Sequence, residues 1–99
     1  MNENIIKIYD FTSAIAVEIS VGEQINELIG KRLKKYNNVI LDFSDVKIVL
    51  TAFIKALVGS YIEKMGKEEF LKKIIIKNLP SYSDKLMEKI FSATVKKNN

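Results

Sequence analysis

The stretch LDFSDVKIVLTAF, Leu41 to Phe53, holds most of the side chains in this sequence that could do chemistry. Asp42 and Asp45 stand three residues apart. Two carboxylates so placed suit general acid–base work or a magnesium ion. Asp42 also follows an apolar run. That places it at the carboxyl end of a strand, where the sites of α/β proteins gather. The plainer reading is a turn in which Asp42 and Ser44 accept hydrogen bonds from the turn's own backbone. Thr51 stands where a helix should begin. Free N–H groups and the helix dipole attract phosphate at such a point, yet a threonine there is equally an ordinary N-cap.

A second cluster is basic: Lys31, Arg32, Lys34 and Lys35, with Tyr36 beside them to stack a base. The same four residues would also complement the dipole at a helix C-terminus and form a solvated face. The net charge of +4 comes from 15 lysines and one arginine. A mild positive field can draw nucleic acid or an acidic protein surface. Lysine in place of arginine, however, reads as solvated surface and not as bidentate recognition. Histidine and cysteine are both absent. This removes the commonest general base, the commonest metal ligand, every thiolate mechanism and any disulfide framework. The glycines, Gly22, Gly30, Gly59 and Gly66, are scattered singly, so no phosphate-cradling loop exists. The residues thus point to no catalytic set, no cofactor and no metal site.

The elements that must position these residues can be read from periodicity. Ninety-nine residues make one domain. The start, MNENIIKIYD, lacks the pattern of a signal peptide, and no apolar run approaches the roughly 20 residues that span a bilayer. A cysteine-free chain suits the cytoplasm. NIIKIYDF and AIAVEIS read as two strands of a hairpin. Ser20 and Glu23 form a capping box that opens a helix with Ile25, Leu28, Ile29, Leu33 and Tyr36 on one face. Val39 to Phe43 is nearly continuous apolar, as in a strand buried on both faces. A helix from Thr51 to Met65 stops at Gly66 and presents a wide apolar face. KEEFLKK is a helical turn, Ile74 to Lys77 a strand, and PSYSDKLMEKIFSA a last helix. Residues 96–99 read as a disordered tail. The order β-β-α-β-α-β-α predicts an α/β fold: one four-stranded, mixed, mostly parallel sheet covered by helices. Val39–Phe43 and Ile74–Lys77 should lie adjacent or nearly so and parallel, because a helix joins them.

Val39 to Leu79, about two fifths of the chain, carries a further pattern. A strand ends in Leu-Asp-Phe at Asp42 and Phe43, with Val46 three residues on. A small hydroxyl residue and Phe53 open a helix that contains Leu57-x-Gly59. Gly66 and Phe70 form Gly-x-x-x-Phe, and an apolar strand closes on Asn78-Leu79. This resembles a STAS-like domain, of the kind seen in anti-sigma-factor antagonists and sulfate-transporter regulatory domains. It is most similar to a family of small STAS-like domains of unknown function, often found beside or fused to histidine-kinase-like ATPases. In the antagonists, a serine at the start of the second helix is phosphorylated by a partner kinase. That position falls here on Ala52, and the acidic residue two before it is Leu50. Thr51 is the only hydroxyl left.

The resemblance implies a cytoplasmic, non-enzymatic regulatory domain that binds another protein. In bacteria the natural partner would be an ATPase or kinase-type regulator. The implied surface comprises Asp42, Ser44, Asp45, Leu50, Thr51, Ile54 and Lys55, with Thr51 as the phosphorylation-like position. Two other readings stay open: a small stand-alone inhibitor, phage or mobile-element encoded, that occludes a nucleic-acid-handling enzyme; and a direct RNA or DNA binder acting through Lys31, Arg32, Lys34 and Lys35. Homo-oligomerisation is compatible with all three.

Overall fold

The computed structural model describes residues 4–97. Strand β1 (Ile5–Lys7) is followed by a single helical turn, α1 (Tyr9–Thr12), and by β2 (Ile15–Ala16). Then come α2 (Ile19–Leu33), β3 (Val39–Asp42), β4 (Ile48–Val49), α3 (Thr51–Lys73) and β5 (Ile74–Lys77). A 3₁₀ turn at Ser81–Ser83 leads into α4 (Asp84–Lys97). Asn98 and Asn99, the end of the expected tail, lie outside the described residues.

The expectation for β3 and β5 holds. They are neighbours and parallel, with Val39 opposite Ile74 and Asp42 opposite Lys77. β3 is the middle of a three-stranded sheet in the order β1-β3-β5. The single four-stranded mixed sheet is not what forms. β2 and β4 make a separate parallel pair, with Ile15 opposite Ile48 and Ala16 opposite Val49. No hairpin joins β1 to β2. After β1 the chain stays beside β3, where the Ile8 N–H donates to the Asp42 carbonyl at 2.9 Å. It then coils through α1 and turns at Ser13, which has a φ of 60°. The Lys47 and Ile48 N–H groups hold Ala14 at 2.8 and 3.1 Å. Each early strand therefore pairs with a later strand, β1 with β3 and β2 with β4, and not with the other. The gain is burial: Ile6 and Ile8 sink into the core beside Leu41 and Phe43.

That core draws Val39 and Ile74 from the sheet, Ile25 and Ile29 from α2, Phe53, Leu57, Val58, Ile62 and Phe70 from α3, and Ile90 from α4. β3 is buried on one face only, because Val39 and Leu41 are covered while Ile40 and Asp42 are half-buried. The expected two-sided burial is thus halved. Helices α2 and α3 pack closely at Gly22, where an added Cβ would lie 3.0 Å from the Phe53 carbonyl oxygen and 3.1 Å from the Ala56 Cβ. Asn26 and Tyr61 lock the same pair. The Asn26 amide donates to the Leu57 carbonyl at 2.9 Å, and the Tyr61 hydroxyl donates to the Asn26 carbonyl at 2.7 Å.

Both expected helix caps are corrected. The residue before α2 is Glu18, and no side chain caps that helix, so Ser20 and Glu23 lie inside it and form no capping box. The N-cap of α3 is Leu50, again with no side-chain cap bond, and Thr51 is the first helical residue. In both places the chain arrives in extended conformation from a strand that ends one or two residues before the cap, so the N-cap position falls ahead of the polar residue. α3 is interrupted at Gly66, as its sequence suggests: φ is 80° and ψ 165°. α2 ends at Leu33, which leaves Lys34 as its C-cap and Lys35 and Tyr36 in the following turn.

Candidate functional site

The parallel sheet brings its three carboxyl ends to one level. Lys7, Asp42 and Lys77 are in register on β1, β3 and β5, so one carboxylate sits between two lysines. Just past Asp42 the chain turns. Ser44 folds back, and its N–H and hydroxyl both donate to the same Asp42 oxygen, Oδ1, at 2.9 and 2.6 Å. Asn78, immediately after β5, adopts φ 63°, a left-handed conformation that asparagine tolerates. Its side-chain amide donates to Asp42 Oδ1 at 2.9 Å and to the Ser44 hydroxyl at 3.0 Å. Asp42 thus ties the β3 turn to the end of β5.

This environment fixes what Asp42 can do. The Ser44 hydroxyl, then the Asn78 amide, then the Ser44 N–H favour the charged form, and Lys7 adds to them. Together they hold the carboxyl below the usual carboxylate range, against a small opposing effect of burial. A carboxylate held ionised by three donors is poorly placed to shuttle protons near neutral pH. The groups around Oδ1 are donors and not the further oxygens a magnesium ion would need. Asp45 is exposed, with φ 69°, and forms the corner of the turn. The two carboxylates of the quoted stretch therefore make a turn and do not form an acid–base pair.

A pH prediction follows. The folded-state pKa of Asp42 lies below the ordinary value of 3.8. Its contribution to stability is then complete above that value and is lost as pH falls through the lowered folded pKa. Asp42→Asn keeps an acceptor oxygen but removes the charge. Urea midpoints should show wild type ahead of Asp42→Asn near neutral pH, with the gap closing below about pH 4. A gap that stays constant down to pH 2 refutes the role given to the charge.

Beyond the turn, Leu50 is 49% exposed and Ala52 and Lys55 are exposed, so the start of α3 presents a surface. Ile54 does not belong to it. At 1% exposure it is core, because the helical period carries it under α3 beside Phe53. Thr51 is half-buried. Without a capping role, Thr51→Ala should change unfolding free energy by no more than about 0.5 kcal/mol in denaturant titration. The basic residues Lys31, Arg32, Lys34 and Lys35 lie at the other end of the molecule, where α2 finishes just before β3 begins.

Sequence reasoning missed two partners here. Asn78 was visible only as part of a family pattern, although an asparagine closing an apolar strand is the type that accepts positive φ. Nothing in the sequence marks Tyr82. Its hydroxyl donates to the Lys47 carbonyl and accepts from the Val49 N–H, each at 2.9 Å. That closes the outer edge of β4 and walls an open groove of about 580 Å³ between residues 43–47 and 78–82. Among the described residues, no group of three Asp, Glu, His or Cys side chains is placed to hold a metal ion. No helix among them is long and apolar enough to cross a membrane.

Residues 21–84, nearly two thirds of the chain, match the family model described as a STAS-like domain of unknown function (DUF4325). No curated protein and no solved structure matches it. The matched span runs from the start of α2 through the Asp42 turn, α3, Gly66 and Asn78 to the start of α4, and the chain belongs to this family of STAS-like domains.

Proposed function

We propose that this STAS-like domain is a non-catalytic, cytoplasmic regulatory module whose protein partner docks on the carboxyl end of the sheet, over Asp45, Leu50, Ala52 and Lys55. The observation that carries this reading is the pre-organised turn. Asp42, Ser44 and Asn78 spend their hydrogen bonds on one another, and so fix the path into an exposed α3 start without leaving a general base. A surface held in one conformation loses little entropy on binding. In the related antagonists the phosphorylated serine falls where Ala52 stands, so this module is a constitutive binder whose occupancy follows concentration. An ATPase or kinase-type regulator is the partner class the resemblance suggests.

The test uses Ala52→Glu with Lys55→Glu. An acidic residue in the first turn of a helix is favoured by the dipole, so the fold should survive. Affinity capture from the native host, read by mass spectrometry, should recover one dominant protein with wild type. Recovery should fall at least tenfold with the double variant at an unchanged urea midpoint. Equal recovery removes the surface from α3. Intact mass of the native protein should show no added phosphate; a phosphate on Thr51 would replace the constitutive reading with a switch. Capture of nucleic acid with steep salt dependence, lost on changing Lys31, Lys34 and Lys35, would favour the basic cluster instead.

A further inference from the structure

The β2–β4 pair is a minimal sheet, two residues to a strand, and its two edges are treated differently. On the β4 side, the Tyr82 hydroxyl occupies the Lys47 carbonyl and the Val49 N–H, the groups a further strand would use. On the β2 side no strand follows among the described residues. The alternation of the ladder decides which groups face out there. Ala14 and Ala16 turn their carbonyls to β4, accepting from Ile48 and Leu50 at 3.1 Å each, so the backbone of Ile15 and Val17 points the other way. Open strand edges are templates for pairing, and two short strands alone are marginal.

The side chains beside that edge are apolar and exposed. Ile15 is 52% exposed and its in-register neighbour Ile48 is 47% exposed. Phe11, 43% exposed, shares with Ile15, Val17 and Val21 a groove of about 270 Å³. Leu50 lies at the margin, two residues beyond Ile48. The patch itself carries no charge, and Glu18 is the acid at the rim of the groove.

We propose that this edge is the interface of a two-fold homodimer in which β2 pairs antiparallel with β2 of a second copy, Ile15 opposite Val17. The second copy fits for three reasons. A two-fold contact needs a surface complementary to itself, and an uncharged patch beside an open edge meets its own image without like charges opposed. In this register Glu18 faces Ala14 of the other copy and not another acid. The pairing completes a four-stranded sheet, β4-β2-β2-β4, whose outer edges are both already closed by Tyr82. The exposed apolar area of Phe11, Ile15 and Ile48, which leaves out Leu50 of the partner surface, is roughly 300 Å², under half of the ~800 Å² per partner of a standard interface. The dimer is therefore a weak one, concentration-dependent in the micromolar range.

Sedimentation equilibrium of the full chain from about 10 μM to 1 mM tests this, a range that brackets such a dissociation constant. Wild type should pass from monomer to dimer across it. Ile15→Lys should stay monomeric throughout at an unchanged urea midpoint, since the side chain it replaces is half in water. Should that variant not fold, hydrogen exchange on wild type decides the matter: the amides of Ile15 and Val17 should gain protection as concentration rises. A monomer at every concentration overturns the proposal. So does a dimer that Ile15→Lys leaves intact, or one whose added protection lies away from β2. Ala52→Glu with Lys55→Glu, which tests the partner surface, should leave the dimer unchanged.

Discussion

Replacing Phe53 by alanine should lower the unfolding free energy by about 3–5 kcal/mol. The ring is fully buried, with 0% exposure, at the first turn of α3. It sits among Ile54, Leu57 and Val58 of its own helix and the buried residues of α2 and the sheet. Removing it costs the transfer of an aromatic side chain to water plus the cavity left behind. Collapse of that cavity is limited, because α2 already approaches the Phe53 carbonyl as closely as Gly22 permits. A loss of this size is a large share of the 5–15 kcal/mol that holds a typical domain together. Urea unfolding with the slope fitted independently is the measurement. A change below about 1 kcal/mol would place the ring at the surface and move Phe53 from the core to the proposed docking face. Binding studies need a milder change, and Phe53→Leu, which keeps most of the volume, should cost less than half as much.

Phe53 also shows which parts of this fold are legible in the sequence. Long periodic segments identify themselves. The spacing of Phe53, Leu57, Val58 and Ile62 marks one buried helix face, and Val39–Asp42 and Ile74–Lys77 announce adjacent parallel strands because a helix joins them. The wide apolar face of α3, which could have been interface, is core: α2, the sheet and α4 all pack on it. Short elements do not identify themselves. Two-residue strands such as Ile15–Ala16 and Ile48–Val49 carry no period, and alternation in β2 tells nothing of which strand it meets. The hairpin expectation failed there. In place of a tight turn, Asp10 and Thr12 wind into α1, and Ser13 at its end turns the chain past its neighbour. The caps failed for a related reason. Ser20 and Thr51 have the right chemistry, yet the cap positions fall earlier, on Glu18 and Leu50, where the chain arrives in extended conformation after a strand.

The site was half legible. Asp42 and Ser44 form the turn that their types suggest, and the carboxylate accepts the Ser44 N–H as such turns do. Ile54 belongs to the surface that the resemblance implies, yet the helical period that buries Phe53 also carries its neighbour inward. Asn78 and Lys77 are more than thirty residues from Asp42 and reach it only because β3 and β5 are in register. No local pattern encodes such a meeting. The turn beneath the proposed docking surface thus depends on a strand placed by the far end of α3.

That placement rests on Gly66, and Gly66→Ala should destabilise the domain by about 1–3 kcal/mol. The sign is the informative part. Alanine for glycine inside a helix ordinarily gains up to about 1 kcal/mol. Here the residue holds φ 80° and ψ 165°, a region that is essentially glycine's own. An added Cβ would meet nothing within 4 Å, so any loss comes from the backbone and not from crowding. The break lets residues 67–73 leave the axis of α3. Phe70 then turns into the core, where it meets the edge of Phe91 at 5.7 Å and 75°, and Lys67 comes to lie 5.3 Å above the Phe91 ring. Only after this does the chain enter β5 and carry Asn78 to Asp42. D-alanine at position 66, introduced by chemical ligation, separates the two causes. The mirror image of this conformation, φ −80° and ψ −165°, borders the broad β region, so the D-residue should hold close to wild-type stability. Urea unfolding of the three proteins is the comparison. If L-alanine proves neutral or stabilising, α3 runs straight through position 66, and Phe70, β5 and the Asn78–Asp42 tie must be positioned by something other than the glycine.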